Sequence, residues 1–322
     1  MKRTYNDHLD RNYSFVFDME RESVMNVKPG EVFTIKSKDA VDGKIADETI
    51  HFTPENLGPL SRYSPELSNP VFGPVRIRGT TKGDLLAVHI LDIRVAEKGV
   101  TGIKNGQGVF ADSKKWSSIF DMPSTKLLKN DSTSGEVIYS DDVRWPLSPF
   151  IGTIGVAQEV ETRAASVIQS PWGGNWDCRH ICKGSTLYLN ACCEGGLLYL
   201  GDVHGSQGDG ELSGIANEVS AEIDLSIDVI PQKGIPYARI ETESHYVCIA
   251  SNKPLEEAVR NAISYLMSWM VEVHEMNERD LYMILSTCSD FRLEIYQVVD
   301  LPGMSYTAGA LLPKTLLPSH RR

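Results

Sequence analysis

Between residues 222 and 229 apolar and polar side chains alternate without a break. Ile223, Leu225, Ile227 and Val229 interleave with Glu222, Asp224, Ser226 and Asp228. Successive residues of a strand face opposite sides, so this stretch predicts a strand with one buried and one wet face. Carried back in the same phase, the polar face gains Ser220 and Glu218. Shorter runs of strand character recur at residues 15–17, 31–36, 75–79, 85–93, 183–189, 196–200, 238–249 and 291–295. Residues 53–74 hold Pro54, Pro59, Pro65, Pro70 and Pro74, which predicts a long loop.

Helical periodicity appears only late. Leu255, Val259, Ala262, Ile263, Leu266 and Met270 recur at helical spacing behind Pro254, a residue suited to a first turn. A second helix is expected after Asn277, carrying Leu281, Ile284, Leu285 and Cys288, with Asp280 placed as in a capping box. Strands followed by two helices predict an α+β, β-rich protein. The expected architecture is a β-sandwich or barrel-like core with a C-terminal α+β part of two helices plus strands. The expected segments are an N-terminal β-rich domain (1–148), a β-rich part with glycine-rich turns (149–236) and the C-terminal part (237–322).

The chain of 322 residues has a formal net charge of −11, which argues against nucleic acid or an anionic membrane as the main partner. The N-terminal residues have no apolar core behind them, and the longest apolar run, 263–273, is too short to span a bilayer. The expectation is a cytoplasmic protein. In that run Trp269 and Met270 extend the apolar stripe beyond one face, which predicts self-association as a dimer. The six cysteines do not follow a zinc-ribbon spacing and are expected as free, mostly buried thiols. His89 and His51 lie among apolar strand residues and read as satisfied histidines. No P-loop or dinucleotide fingerprint occurs.

The chemistry concentrates in residues 201–211, Gly-Asp-Val-His-Gly-Ser-Gln-Gly-Asp-Gly-Glu, directly behind the apolar run 196–200. Two residues apart on a strand, Asp202 and His204 project to one face where the strand gives way to a glycine-rich loop. A carboxylate beside an imidazole suits a metal site or an acid–base pair. The plainer alternative is a polar turn after a core strand. A second glycine-rich turn, Trp172-Gly173-Gly174-Asn175-Trp176-Asp177, lies upstream. His245 and Glu243 share a face of a later strand and are secondary candidates, as is Glu222.

These two turns, "GGNWD…GSTLYL" and "GDVHGSQGDGEL", resemble those of the acetamidase/formamidase family of metal-dependent amidases. "GTIGVA" at residues 152–157 and "LEEAVRNAISYL…LYMILSTCSDFRLEIYQVVD" near the C-terminus are similar to further motifs of that family. The resemblance runs from about residue 149 to 300 and is only general before that. It implies a divalent metal ion, zinc in preference to calcium, with manganese also tolerated by such a set. Asp202 and His204 would hold it, with Asp177 and Glu218 completing the ligands. Glu218 is the acidic residue after the second turn that fits the family's ligand position. Glu211 would shuttle the proton, its role interchangeable with those of Glu218 and Glu222. Asn175 would contact substrate or a ligand carboxylate, and Gly152 and Trp172 would border the substrate.

The implied reaction is hydrolysis of a small linear amide of the formamide or acetamide type, releasing ammonia. Opening of a lactam is the neighbouring alternative, and a non-catalytic β-sandwich binding module with a structural calcium is the competing class. Trp172 stands where many relatives have His, and Gln158 where they have Pro. Trp172 and Trp176 are expected to wall the turn with bulk and favour a small substrate.

Overall fold

The computed structural model describes residues 11–58, 68–159 and 163–317. The N-terminal residues 1–10 and part of the proline-rich segment, 59–67, lie outside them. The strand expected from the 222–229 alternation runs Ala221–Ile230. Ile223, Leu225 and Ile227 are buried, while Asp224 on the other face bonds Thr34 and Arg94. It pairs antiparallel with Leu85–Val95 on one side and Phe33–Ser37 on the other, inside an eight-stranded sheet.

A second, eleven-stranded sheet is built around Leu198–His204. That strand pairs with Phe150–Val156, Val71–Ile77 and Glu218–Val219. All seven of its residues are buried, which explains why it reads as an apolar run and not as an alternation. Val75, Ile77, Leu200 and Val203 of this sheet share one core with Leu86, Val88, Ile223 and Leu225 of the other. The architecture is the β-rich α+β sandwich that the pattern predicts.

The first two serial segments contribute strands to both sheets, and the third adds strands to the eight-stranded sheet. Leu85–Val95 lies between Thr186–Asn190 and Ala221–Ile230, so residues 1–148 and 149–236 complete one layer together. Arg239–Glu241 then pairs with Thr186–Asn190, which carries that layer past residue 237. The boundaries at 148 and 236 therefore do not separate independent cores, because the strands on either side need each other's backbone groups.

Residues 53–74 are less loop-like than their prolines predict. Pro54–Leu57 forms one helical turn capped by Thr53, and residues 71–74 belong to Val71–Ile77. The helices run Leu255–His274 and Glu278–Thr287. Asn277 caps the second, its side chain accepting from the Arg279 and Asp280 N–H groups, worth about 1 kcal/mol. Ala262, Leu266, Trp269 and Met270 pack on Cys248, Ala250, Ala310 and Leu312 of the chain's own sheet. The apolar breadth of that helix is thus covered within the chain, and the argument from it to a dimer does not hold. All six cysteines are free. His89 is satisfied by Thr186 and Asp228, and His51 by Thr125. Among the described residues no helix is long and apolar enough to cross a membrane.

Candidate metal centre

Asp177, Asp202, His204, Glu211 and Glu218 converge at the end of Leu198–His204. One ligand-capable atom from each of Asp177, Asp202 and His204 lies within 4.8 Å of the others, and the same holds for His204, Glu211 and Glu218. His204 belongs to both groups. Its Nε2 is 3.5 Å from Asp202 Oδ1 and 3.3 Å from Glu218 Oε2. The strand placement of Asp202 and His204 thus brings their functional atoms together. Asp177, Asp202 and Glu211 all adopt left-handed backbone, at φ of 52°, 55° and 47°. Such strain persists where surrounding structure imposes it, and it clusters at functional sites.

Each carboxylate is held by its own local device. Asp177 sits on a tight return of chain in which its N–H donates to the Gly152 carbonyl at 3.1 Å. Its Oδ2 accepts from Asn175 Nδ2 at 2.9 Å. Asp202 Oδ2 accepts from Asn69 Nδ2 at 2.8 Å, with the Thr153 hydroxyl at 2.9 Å. Asn69 also donates to Asn175 Oδ1 at 2.7 Å, so one amide ties two neighbours together. Glu218 Oε1 accepts from the Ala216 N–H at 2.9 Å. Glu211 follows Gly210, whose N–H and C=O bond Ile295 and Val298, pinning the loop to the strand Arg292–Gln297.

Gln207 decides which nitrogen of His204 faces the carboxylates. Its Nε2 donates to the Tyr296 carbonyl at 2.8 Å, so its Oε1, 2.8 Å from His204 Nδ1, must accept. In neutral His204 the proton then sits on Nδ1, and the Nε2 lone pair points at Asp202 and Glu218. Asp177 Oδ1 and Glu218 Oε2 are buried and accept no hydrogen bond from the described residues. With His204 neutral, its Nε2 lone pair and these two oxygens converge without a donor of their own, an arrangement that needs positive charge.

The titration of these groups expresses the same demand. Burial pushes the Asp177, Glu211 and Glu218 carboxyls above their ordinary range; neighbouring carboxylates add to this and His204 opposes it. Burial alone would lower His204, but Glu218 and Asp202 outweigh it and hold it well above its ordinary value. Protons or a divalent cation can supply the missing charge. A set of carboxylate oxygens with one imidazole nitrogen fits a divalent metal ion.

The centre forms part of the lining of a cavity of about 290 Å³. Val41, Phe52, Leu57, Ile215, Leu301 and Met304 supply apolar wall, and Asn69, Asn175 and Gln297 polar wall. This volume is at the small end for ligand pockets.

Several candidates lie elsewhere. Glu222 faces solvent beside Lys36 at 3.1 Å. The alternation does not extend back to Glu218, because the chain passes from one sheet to the other around exposed Ser220. Glu218 therefore turns inward and Glu222 outward. His245 bonds Ser244 at the sheet margin, and Glu243 is exposed. Trp172 packs at the edge of the main core and Trp176 within it, so neither walls the cavity. Gly152 lies behind the carboxylates and does not line the cavity; a Cβ there would sit 3.0 Å from Asp177 Oδ1 and from Asp202 Oδ2. Asn175 spends its amide on Asp177 and Asn69, which makes it an orienting group.

Asn69, Thr153, Gln207 and Gln297 were not singled out by the sequence. Gln207 stands three residues after His204 in the second glycine-rich turn, which is a usable signal. Asn69 and Gln297 have none, since only tertiary structure brings them in.

The fold is thus a two-sheet sandwich with a buried acidic–histidine centre beside a small cavity. The chain matches the Acetamidase/Formamidase family over residues 16–169 and 157–317, and it belongs to that family. An acetamidase from Mycolicibacterium smegmatis is 29% identical over 261 residues, covering 63% of this chain and 62% of the relative. A formamidase from Methylophilus methylotrophus is 25% identical over 252 residues, covering 63% and 60%. The chain thus spans about three fifths of the length of these curated relatives. The crystal structure of an acetamidase from Yersinia enterocolitica superposes with a TM-score of 0.85 at 30% identity, covering 96% of this chain and 91% of that one.

Proposed function

We propose that the protein is an amidase that hydrolyses the C–N bond of a small linear amide, of the formamide or acetamide type, and releases ammonia. The observation that carries this reading is the buried carboxylate cluster around His204, two of whose oxygens accept no hydrogen bond from the described residues, at a small cavity in a member of this family. Asp177, Asp202, His204 and Glu218 would hold a divalent metal. The imidazole ligand favours zinc over calcium, which prefers an all-oxygen set. When bound, such an ion lowers the pKa of water to about 7 and polarises a carbonyl.

The chain's own residues supply the rest. Gln207 presents the correct nitrogen of His204, and Asn69, Thr153 and Asn175 fix the Asp202 and Asp177 carboxylates. Glu211 is the proton carrier. Burial and the charge of Asp177 raise its affinity for a proton, which suits it to take one up and pass it to the leaving nitrogen. Phe52, Leu57, Leu301 and Met304 keep the reacting carbonyl among apolar groups.

Ammonia release from formamide, acetamide and longer amides, measured before and after chelation and again after adding zinc back, tests the reading. Activity is expected to fall by roughly 10–200-fold per added methylene once the wall is reached. It should vanish on chelation and return with metal. Metal-loaded protein that turns over no short amide refutes the proposal.

A further inference from the structure

Gln297 ends the strand Arg292–Gln297, lines the cavity and is completely buried. Its Nε2 donates to the Val299 carbonyl at 3.0 Å. That bond fixes the amide's orientation, since flipping it would set oxygen against oxygen. Its Oε1 accepts no hydrogen bond from any described residue. A buried acceptor without a donor is costly and calls for an explanation. The same condition at Asp177 Oδ1 and Glu218 Oε2 would be met by a cation, which suits carboxylates. Gln297 is neutral, so a neutral N–H donor suits it.

We propose that Gln297 determines specificity by accepting a hydrogen bond from the N–H of the substrate's amide nitrogen, selecting amides that carry an N–H over esters and N,N-dialkyl amides. This rests on the amidase reading above. A primary amide carries two N–H donors. With its carbonyl oxygen turned to the positive charge at the centre, one donor is available to Gln297 Oε1. An ester or an N,N-dialkyl amide brings no N–H and leaves that oxygen unsatisfied, the situation in which a polar site rejects an analogue most strongly. In hydrolysis, water oxygen bonds to the carbonyl carbon, and the C–N bond breaks with its electron pair passing to nitrogen. The nitrogen takes up a proton and departs as ammonia. Gln297 is unchanged and accepts from the same nitrogen throughout.

The test compares acetamide with methyl acetate and N,N-dimethylacetamide on metal-loaded enzyme and on Gln297→Met, with metal content and thermal unfolding recorded for both. The variant should keep its metal and lose about 10- to 100-fold in kcat/KM on acetamide but show no loss on methyl acetate, which makes no bond to Oε1, lowering the amide-to-ester ratio by at least that factor. An equal loss on both substrates, or loss of the metal, overturns the assignment. Should the variant not fold, wild-type enzyme still decides: N,N-dimethylacetamide turned over as well as acetamide overturns it, and discrimination of 100-fold or more supports it. If wild-type enzyme hydrolyses neither amides nor the ester, the amidase reading itself has failed and the assignment falls with it.

Discussion

Gly152→Ala is a one-carbon perturbation aimed at the back of the metal centre. The added Cβ would meet the Asp202 carbonyl oxygen at 2.8 Å and Asp177 Oδ1 and Asp202 Oδ2 at 3.0 Å each. Ordinary contact begins at 3.4 Å, so these oxygens must retreat by about 0.6 and about 0.4 Å. The nearest is backbone and sits in the strand Leu198–His204, paired on both sides, so it cannot retreat alone. The backbone of Gly152 is not in the left-handed region, and the penalty is steric only. Overpacking of this size costs about 1–3 kcal/mol of stability. Displacing two carboxylates by a few tenths of an ångström should cost about 10- to 100-fold in metal affinity, like the loss of a partner that orients a ligand. Competition against a chromophoric chelator measures the affinity, and thermal unfolding of metal-free protein measures the stability. A folded variant that binds zinc within twofold of wild type and keeps its kcat would refute both the steric argument and the placement of the metal beside Asp177 and Asp202.

Three further outcomes follow from the same geometry and a fourth from an ion pair outside it. His204→Ala, which removes the residue common to both ligand groups, should fold but bind no stoichiometric metal; full occupancy by elemental analysis would contradict its role. Glu211→Gln should retain metal and lose about 10²- to 10⁴-fold in kcat, read by ammonia release, because the proton carrier goes and the ligands stay. Gln207→Leu should weaken zinc binding by about 10- to 100-fold, measured by competition against a chromophoric chelator; an affinity within twofold of wild type would remove the argument from Gln207. Outside the centre, Glu294 is held at about 2 against an ordinary 4.5: burial would raise it, but His180 at 2.9 Å and Arg179 at 3.1 Å outweigh this. Its lowered pKa contributes stability in full above about pH 4.5, lost as the pH falls toward 2. The stability gap between wild type and Glu294→Gln in urea titrations should therefore shrink from pH 5 to 2, and a constant gap would count against the pairing.

Legibility of the fold in the sequence tracked the kind of signal each element carried. Alternation marked Ala221–Ile230 because one face of that strand is wet, an apolar run marked Leu85–Val95, and helical spacing behind Pro254 and Asn277 marked both helices. Residues 53–74 misled because proline was weighed alone, although it suits a helix's first turn at Pro54 and is accommodated in a strand at Pro74. At the centre, Asp177, Asp202, His204, Glu211 and Glu218 were all legible from glycine-rich turns and family resemblance. The polar phase that linked Glu218 to Glu222 was not real, because the chain changes sheets between them. Trp172 and Trp176 looked like walls beside the turn, yet their bulk serves the core. Asn69 and Gln297 could not be read, since what matters about them is a distance across the fold.

The chain segments that meet at the cavity have a consequence for how the molecule is made. Asn69 and Gln297 stand about 230 residues apart, with Asp177, Glu211 and Glu218 between them. Closing loops of that length carries an entropic cost that is met before any contact is gained, and folds dominated by such contacts form slowly. During synthesis the ligands through Glu218 emerge well before the strand Arg292–Gln297 that pins the Glu211 loop. Until that strand docks, the carboxylates have neither their final spacing nor a dry cavity. Capture of the proposed metal would therefore be a late event that reports completion of the whole fold, and an ion binding only the finished state would draw the last docking step forward by mass action.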